Sequence, residues 1–190
     1  LDQAKEYLAA SDYPDGFDCT LLTTEASIRY SMALAIQEDL KALNINVEIV
    51  RVSADEHTAY QFGNILDADG NRDFDMIIAG WESDYPDIAG NIEPLYSSAN
   101  TGEGGSNTAV YVNDQVDELI ALQSQTTDPD QRSEYLFQAL DIITEDIPYI
   151  FLEYPNRQVT MQKGYEGFTL NASWLWNLQF KNIHQVQTGD

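Results

Sequence analysis

The sequence has one cysteine, two histidines and nine basic residues, and each scarcity closes off a class of function. One thiol can form neither an internal disulfide nor a thiolate cage for zinc, so Cys19, set in an apolar stretch, is expected to be a buried small hydrophobe. His57 and His184 stand apart from any H-E-x-x-H pair, and both are expected to be exposed, one on a helix and one in the tail. No serine occupies a G-x-S-x-G elbow, which leaves a serine hydrolase without a nucleophile. Nine Lys and Arg against 32 Asp and Glu give a formal net charge of -23 and no basic cluster to release counterions, which excludes nucleic acid as a partner. No apolar run approaches the roughly 18 residues that a membrane helix needs. No cofactor is expected.

What is present is ordinary globular material. The hydrophobic share is 43% of 190 residues, enough for one sizeable core or a core with an appendage. The acid surplus reads first as a solvated surface. Asp67, Asp69, Asn71 and Asp73 alternate like calcium ligands, but Arg72 stands where the loop needs glycine, and Asp, Asn and Gly also compose a plain turn. Paired carboxylates for glycoside hydrolysis stay open, because 32 acids bring some together by chance.

The chain opens without Met and already inside a helical pattern (Ala4, Tyr7, Leu8), so a segment of a longer protein is expected, with targeting information elsewhere. A turn at Tyr13-Pro14-Asp15-Gly16 leads to a strand, Phe17–Leu22, and Thr23-Thr24 then offers an N-cap. Ile28, Met32, Ile36, Leu40 and Leu43 predict a helix that ends at Asn44. Ile45–Val52 alternates as a strand, and the capping box Ser53-Ala54-Asp55-Glu56 opens a second helix through about Leu66. Phe74–Trp81 is the most continuously apolar strand and is expected at the sheet centre. The order strand–helix–strand–helix–strand predicts an α/β fold, a mostly parallel sheet flanked by helices.

Further on, Val116, Leu119, Ile120 and Gln123 form one amphipathic face. Asp128-Pro129-Asp130-Gln131 supplies an N-cap, an N1 proline and a capping-box partner for a helix carrying Leu136, Ala139, Leu140 and Ile143, stopping near Pro148. Tyr149–Tyr154 reads as another buried strand, and the glycine-bearing loop 97–109 as the most flexible internal segment. Its glycines do not lead a strand into a helix, so no phosphate cradle is expected.

The segment that stands out is Gly80-Trp81-Glu82-Ser83-Asp84-Tyr85-Pro86-Asp87. Ligands of open α/β sheets bind at the C-terminal ends of strands. An aromatic face beside a carboxylate suits a cationic ligand group, through cation–π attraction and a charge-assisted hydrogen bond. A strand exit whose Trp packs on the core and whose Asp caps a turn has the same composition.

With these residues the chain resembles the C-terminal large lobe of the family 5 extracellular solute-binding proteins, the oligopeptide and dipeptide receptors of bacterial ABC importers. The resemblance is ordered along the chain. It runs through Ala4–Leu8 with Tyr13–Phe17, Gln37–Val47, Phe74-Asp75 with Trp81, and Asp84-Tyr85-Pro86-Asp87. It continues through Asn107, Tyr111 and Asn113 with Val116–Leu119, then Arg132 and Tyr135, and Ile143 with Glu145–Pro148.

The resemblance implies one lobe of a type II periplasmic-binding-protein clamshell that closes on a peptide and delivers it to a membrane permease. It implies Asp84 as the partner of the peptide's α-ammonium, Gly80 to Glu82 as backbone for an added peptide strand, Trp81 as the wall of a side-chain pocket, and Tyr85 beside it. Phe151 and Leu152 are placed near the ligand. Some oligopeptide receptors carry an Arg where this chain has Ile78, so a preference resting on that Arg is not carried over. Residues 1–154 are expected to form the large lobe. The tail 155–190 is expected to cross back to a missing N-terminal lobe, leaving Trp174, Trp176 and Phe180 exposed without it. Other members bind oligosaccharides or metal chelates, and these ligand classes stay open beside an acidic glycosidase. The implied location is the outer face of the cytoplasmic membrane, lipid-anchored, or the periplasm.

Overall fold

Asp75 and Thr20 set the register from which the sheet grows. The Asp75 carboxylate accepts from the Thr20 N–H at 2.7 Å and the Thr20 hydroxyl at 2.8 Å, and the Asp75 N–H donates back to Thr20 Oγ1 at 3.0 Å. The computed structural model describes residues 1–25, 27–156, 158–169 and 180–186. These divide into two compact units, one of Leu1–Trp81 with Pro94–Asn113, the other of Glu82–Glu93 with the described residues from Asp114 onward.

In the first unit the elements run α1 (Asp2–Ala9), β1 (Asp18–Thr24), α2 (Ser27–Lys41), β2 (Asn46–Val52), α3 (Ala54–Gln61) and β3 (Met76–Ile77). Among the described residues the sheet has the order β2-β1-β3, all parallel, with Cys19 opposite Val47 and Leu22 opposite Ile77. The α/β expectation holds, but β1 is the central strand and β3 an edge. Centrality is decided by pairing on both sides, and composition does not report pairing. Thr23 and Thr24 continue β1 as buried strand residues instead of capping α2.

Cys19, Leu21, Ala33, Ile45, Val47 and Ile78 form the core of this unit, with Met32, Ile36 and Leu40 of α2 packed against it. The Cys19 thiol is buried as expected, and that burial, with Asp75 and Asp18 nearby, pushes its pKa up. The helix at Ser53 opens as predicted, with the Ser53 hydroxyl accepting from the Glu56 N–H and the Glu56 carboxylate from the Ser53 N–H. The Ser53 hydroxyl, which also donates to the Glu56 carboxylate at 2.8 Å, and the Ser53 N–H hold the Glu56 carboxyl below its usual pKa. Helix α3 stops at Gln61, short of Leu66, because Gly63 takes a left-handed φ of 68° and turns the chain away. Leu66 instead forms a bridge with Arg72 across the acidic turn.

His57, expected on the surface, is 2% exposed. It lies on the side of α3 that packs against β1, and a polar side chain is tolerated there because it finds a backbone partner.

Loop 97–109 is also more tightly held than its glycines suggest. It contains a 3₁₀ turn, Ser98–Asn100, and Asn107 is completely buried. Asn107 Nδ2 donates to the carbonyls of Ser97 (3.0 Å) and Tyr111 (2.8 Å), and its Oδ1 accepts from the Tyr111 N–H at 3.0 Å. Gly104 N–H reaches Phe62 O at 2.7 Å, and the buried Thr108 hydroxyl reaches Gln61 O at 3.0 Å.

The second unit contains most of α4 (Ala89–Tyr96), then α5 (Asp114–Gln125), α6 (Pro129–Asp146) and a short antiparallel pair, β4 (Tyr165–Glu166) with β5 (His184–Gln185). Helix α5 buries Val116, Leu119, Ile120 and Gln123, the predicted face, and α6 buries Leu136, Ala139 and Ile143, with Leu140 half-buried. Asp128 caps α6 through the N–H groups of Asp130 and Gln131. The expected reciprocal bond from Gln131 is replaced: the Asp128 N–H donates to Thr126 Oγ1, while Gln131 binds the hydroxyls of Thr126 and Tyr135.

The segment Tyr149–Tyr154 is not a buried strand. Ile150, Phe151 and Tyr154 are largely exposed, since among the described residues no neighbouring strand offers them a ladder. His184 and Phe180 are exposed, whereas Trp174 and Trp176 lie outside the described residues.

Candidate functional site

The exit of β3 is built by α3. Ile78 N–H adds one rung beyond β3 by donating to Leu22 O at 3.0 Å. His57 Nε2 then meets Ile78 O at 3.0 Å, and Gln61 Nε2 donates to Gly80 O at 3.3 Å. The two spacings match: four helical residues advance about 6 Å and two strand residues about 6.6 Å. One helix face can therefore grip alternate carbonyls of an extended segment. Burial, opposed by the Ile78 bond and aided by the Arg29 charge, lowers the His57 pKa. The ring is neutral at pH 7, and contact with a carbonyl requires the proton on Nε2.

Gly80 is exposed, and its N–H has no hydrogen-bond acceptor among the described residues. A Cβ placed on it would meet only the Arg29 guanidinium, 3.2 Å from Nη2. The Arg29 side chain makes no hydrogen bond or ion pair among the described residues. The sequence reading missed this residue. Its signal was a cation in the first turn of a helix, at the unfavourable end of the dipole, in a chain with few cations. Trp81, the next residue, is half-buried.

Glu82, Asp84 and Tyr85 belong to the second unit. Glu82 is half-buried, and Asp84 and Tyr85 are exposed. The turn that carries them is closed by Ser83, whose hydroxyl donates to Tyr85 O at 2.6 Å, and by Asp87 N–H donating to the same carbonyl at 2.9 Å. Asp87 also caps α4 by accepting from Ala89 N–H at 2.8 Å. Its two carboxylate oxygens take the Arg132 fork at 2.8 and 2.9 Å. The fork and the Ala89 N–H hold the Asp87 carboxyl below its usual pKa. Phe151 and Leu152 of this unit are 68% and 48% exposed.

The acidic turn behaves as a turn. Asp67 Oδ1 accepts from the N–H groups of Asp69 and Asn71, and these backbone donors lower the Asp67 pKa. Among the described residues no three His, Cys, Asp or Glu side chains are grouped to hold a metal ion.

The first unit, a parallel three-stranded sheet with flanking helices and an exposed strand exit, is an α/β lobe. The profile for bacterial extracellular solute-binding proteins, family 5 Middle, matches residues 1–103, and the chain belongs to that family. The chain is 29% identical over 167 residues to the glutathione-binding protein GsiB of Salmonella paratyphi A, covering 87% of this chain and 32% of that protein. Among solved structures it is similar to DppA of Helicobacter pylori in complex with the peptide STSA, with TM-score 0.80, 26% identity, and coverage of 98% of this chain and 35% of that one. It is also similar to the oligopeptide-binding protein AppA of Bacillus subtilis in complex with a nonapeptide, with TM-score 0.77, 27% identity, and coverage of 98% and 37%. The chain thus spans about a third of the length of these relatives.

Proposed function

We propose that this chain is the peptide-binding lobe of the substrate-binding component of an ABC importer, acting outside the cytoplasmic membrane and delivering short peptides to a permease. The observation that carries the reading is the Gly80 exit: an extended backbone gripped by His57 and Gln61, with an available N–H and no side chain to hold a ligand away. A peptide laid along Gly80 to Glu82 gains main-chain hydrogen bonds whatever its side chains, as an added strand does. Asp84 is the residue that the family likeness assigns to its α-ammonium, and Arg29 is a cation standing beside the Gly80 backbone. Trp81, Tyr85, Phe151 and Leu152 are the aromatic and apolar residues that the family likeness offers for its side chains.

The relatives support this ligand class: two are solved with peptides, and glutathione is itself a tripeptide. They are solute-binding proteins, which favours capture over catalysis. Residues 1–154 act as the large lobe, and the chain from about 155 runs to a second lobe of the same protein, which closes over the ligand as a hinge.

Calorimetric titration of the full-length protein with tri- and tetrapeptides, and with their N-acetylated twins, tests the reading. Free peptides are expected to bind at least about tenfold more tightly, one decade per 1.4 kcal/mol of lost charge pairing. Equal binding of both forms would refute the ammonium pairing, and heat only with oligosaccharides or metal chelates would replace the ligand class.

A further inference from the structure

The turn that presents Asp84 has a second anchor whose position invites a role in binding. Arg132 lies on α6, 45 residues beyond Asp87, and grips that carboxylate with both Nη atoms while Asp87 still caps α4. Each side chain of the pair keeps only 33% exposure, so the fork is partly shielded from water. The turn also packs closely on α4. A Cβ at the buried Gly90 would sit 2.3 Å from Ser83 Oγ and 3.1 Å from the Tyr85 ring. The five residues 83–87 are therefore closed by Ser83, seated on Gly90 and bolted at the far end by Arg132.

We infer that Arg132 is a positioning residue for ligand capture, which fixes the Asp84 carboxylate by locking Asp87 three residues on. The inference rests on the Asp84 role proposed above. Its physical basis is pre-organisation: a carboxylate on a loose turn must be ordered when the ammonium arrives, and that cost is subtracted from affinity. A bidentate fork supplies the order beforehand, and lysine at the same place, a point charge, would supply less of it.

A double-mutant cycle in the full-length protein tests it, with affinity for a free tetrapeptide read by calorimetry and folding followed by thermal melting. Arg132→Gln is expected to weaken binding about tenfold and Arg132→Lys about threefold, whereas adding Arg132→Gln to Asp84→Asn should cost little more than Asp84→Asn alone. Asp87→Asn keeps an oxygen for Ala89 N–H and loses the ion pair, so it serves as the second variant if Arg132→Gln does not fold. Unchanged affinity in Arg132→Gln would overturn the inference, and so would an equal loss in both backgrounds, which marks a purely structural residue. If Asp84→Asn binds like the parent, the ammonium anchor itself fails and the positioning role falls with it. A strong Asp84 dependence with an indifferent Arg132 overturns only the positioning.

Discussion

Asp84→Asn is expected to reduce the affinity of the full-length receptor for a free-amino peptide by about 100-fold, or roughly 2.7 kcal/mol. The side chain keeps its shape and one acceptor, so sterics do not explain the loss. What disappears, on the proposed function, is the negative charge facing an ammonium that lobe closure removes from water, and a buried cation stripped of its partner costs about 3–5 kcal/mol. Exposure of Asp84 in the unliganded lobe does not weaken this expectation, because its desolvation accompanies the ligand's arrival. An N-acetylated peptide carries no ammonium and should bind parent and variant alike. Calorimetry on the four combinations isolates the charge term, and a sugar ligand would show only a modest change.

Asn107→Asp is the second large effect, on stability. The substitution exchanges one NH₂ for an oxygen, in a side chain with no exposure that donates to two carbonyls at 2.8 and 3.0 Å. An ionised carboxylate would confront both carbonyls inside the protein; a protonated one would satisfy only one of them. The expected cost is about 3 kcal/mol or more, from two lost bonds and one buried unpaired group. Asn107 also spans a strained link, since Val110 is held at a φ of 52°, a left-handed conformation that β-branched residues avoid. Urea unfolding should show a clearly lower midpoint for Asn107→Asp and a smaller shift for Asn107→Ala. An unchanged midpoint for Asn107→Asp would show that loop 97–109 is not held by this side chain.

Features set by neighbours in sequence were legible without a structure. The capping box at Ser53, the Asp128 cap and proline at Pro129, and the buried face of α5 each depend on residues within about two turns of one another. Features set across the chain were not. His57 looks like any polar helix residue until Ile78, 21 positions later, offers its carbonyl. The apolar run ending at Trp81 suggested a central strand, yet the centre went to β1, whose threonines are small enough to bury. Phe151 and Leu152 have the composition of a strand without a partner beside them among the described residues. For the proposed site, order at a strand end and the family resemblance together point to Gly80, Trp81 and Asp84. Order along the chain gives no hint that Arg29 reaches Gly80 or that Arg132 secures Asp87, because both contacts join separate helices to the segment.

The most direct test of peptide capture is to purify the full-length receptor without denaturant, extract it under denaturing conditions, and identify what it releases by mass spectrometry. A ladder of short peptides with free amino termini is the predicted result. Release of sugars or a metal chelate with no peptide would contradict the account.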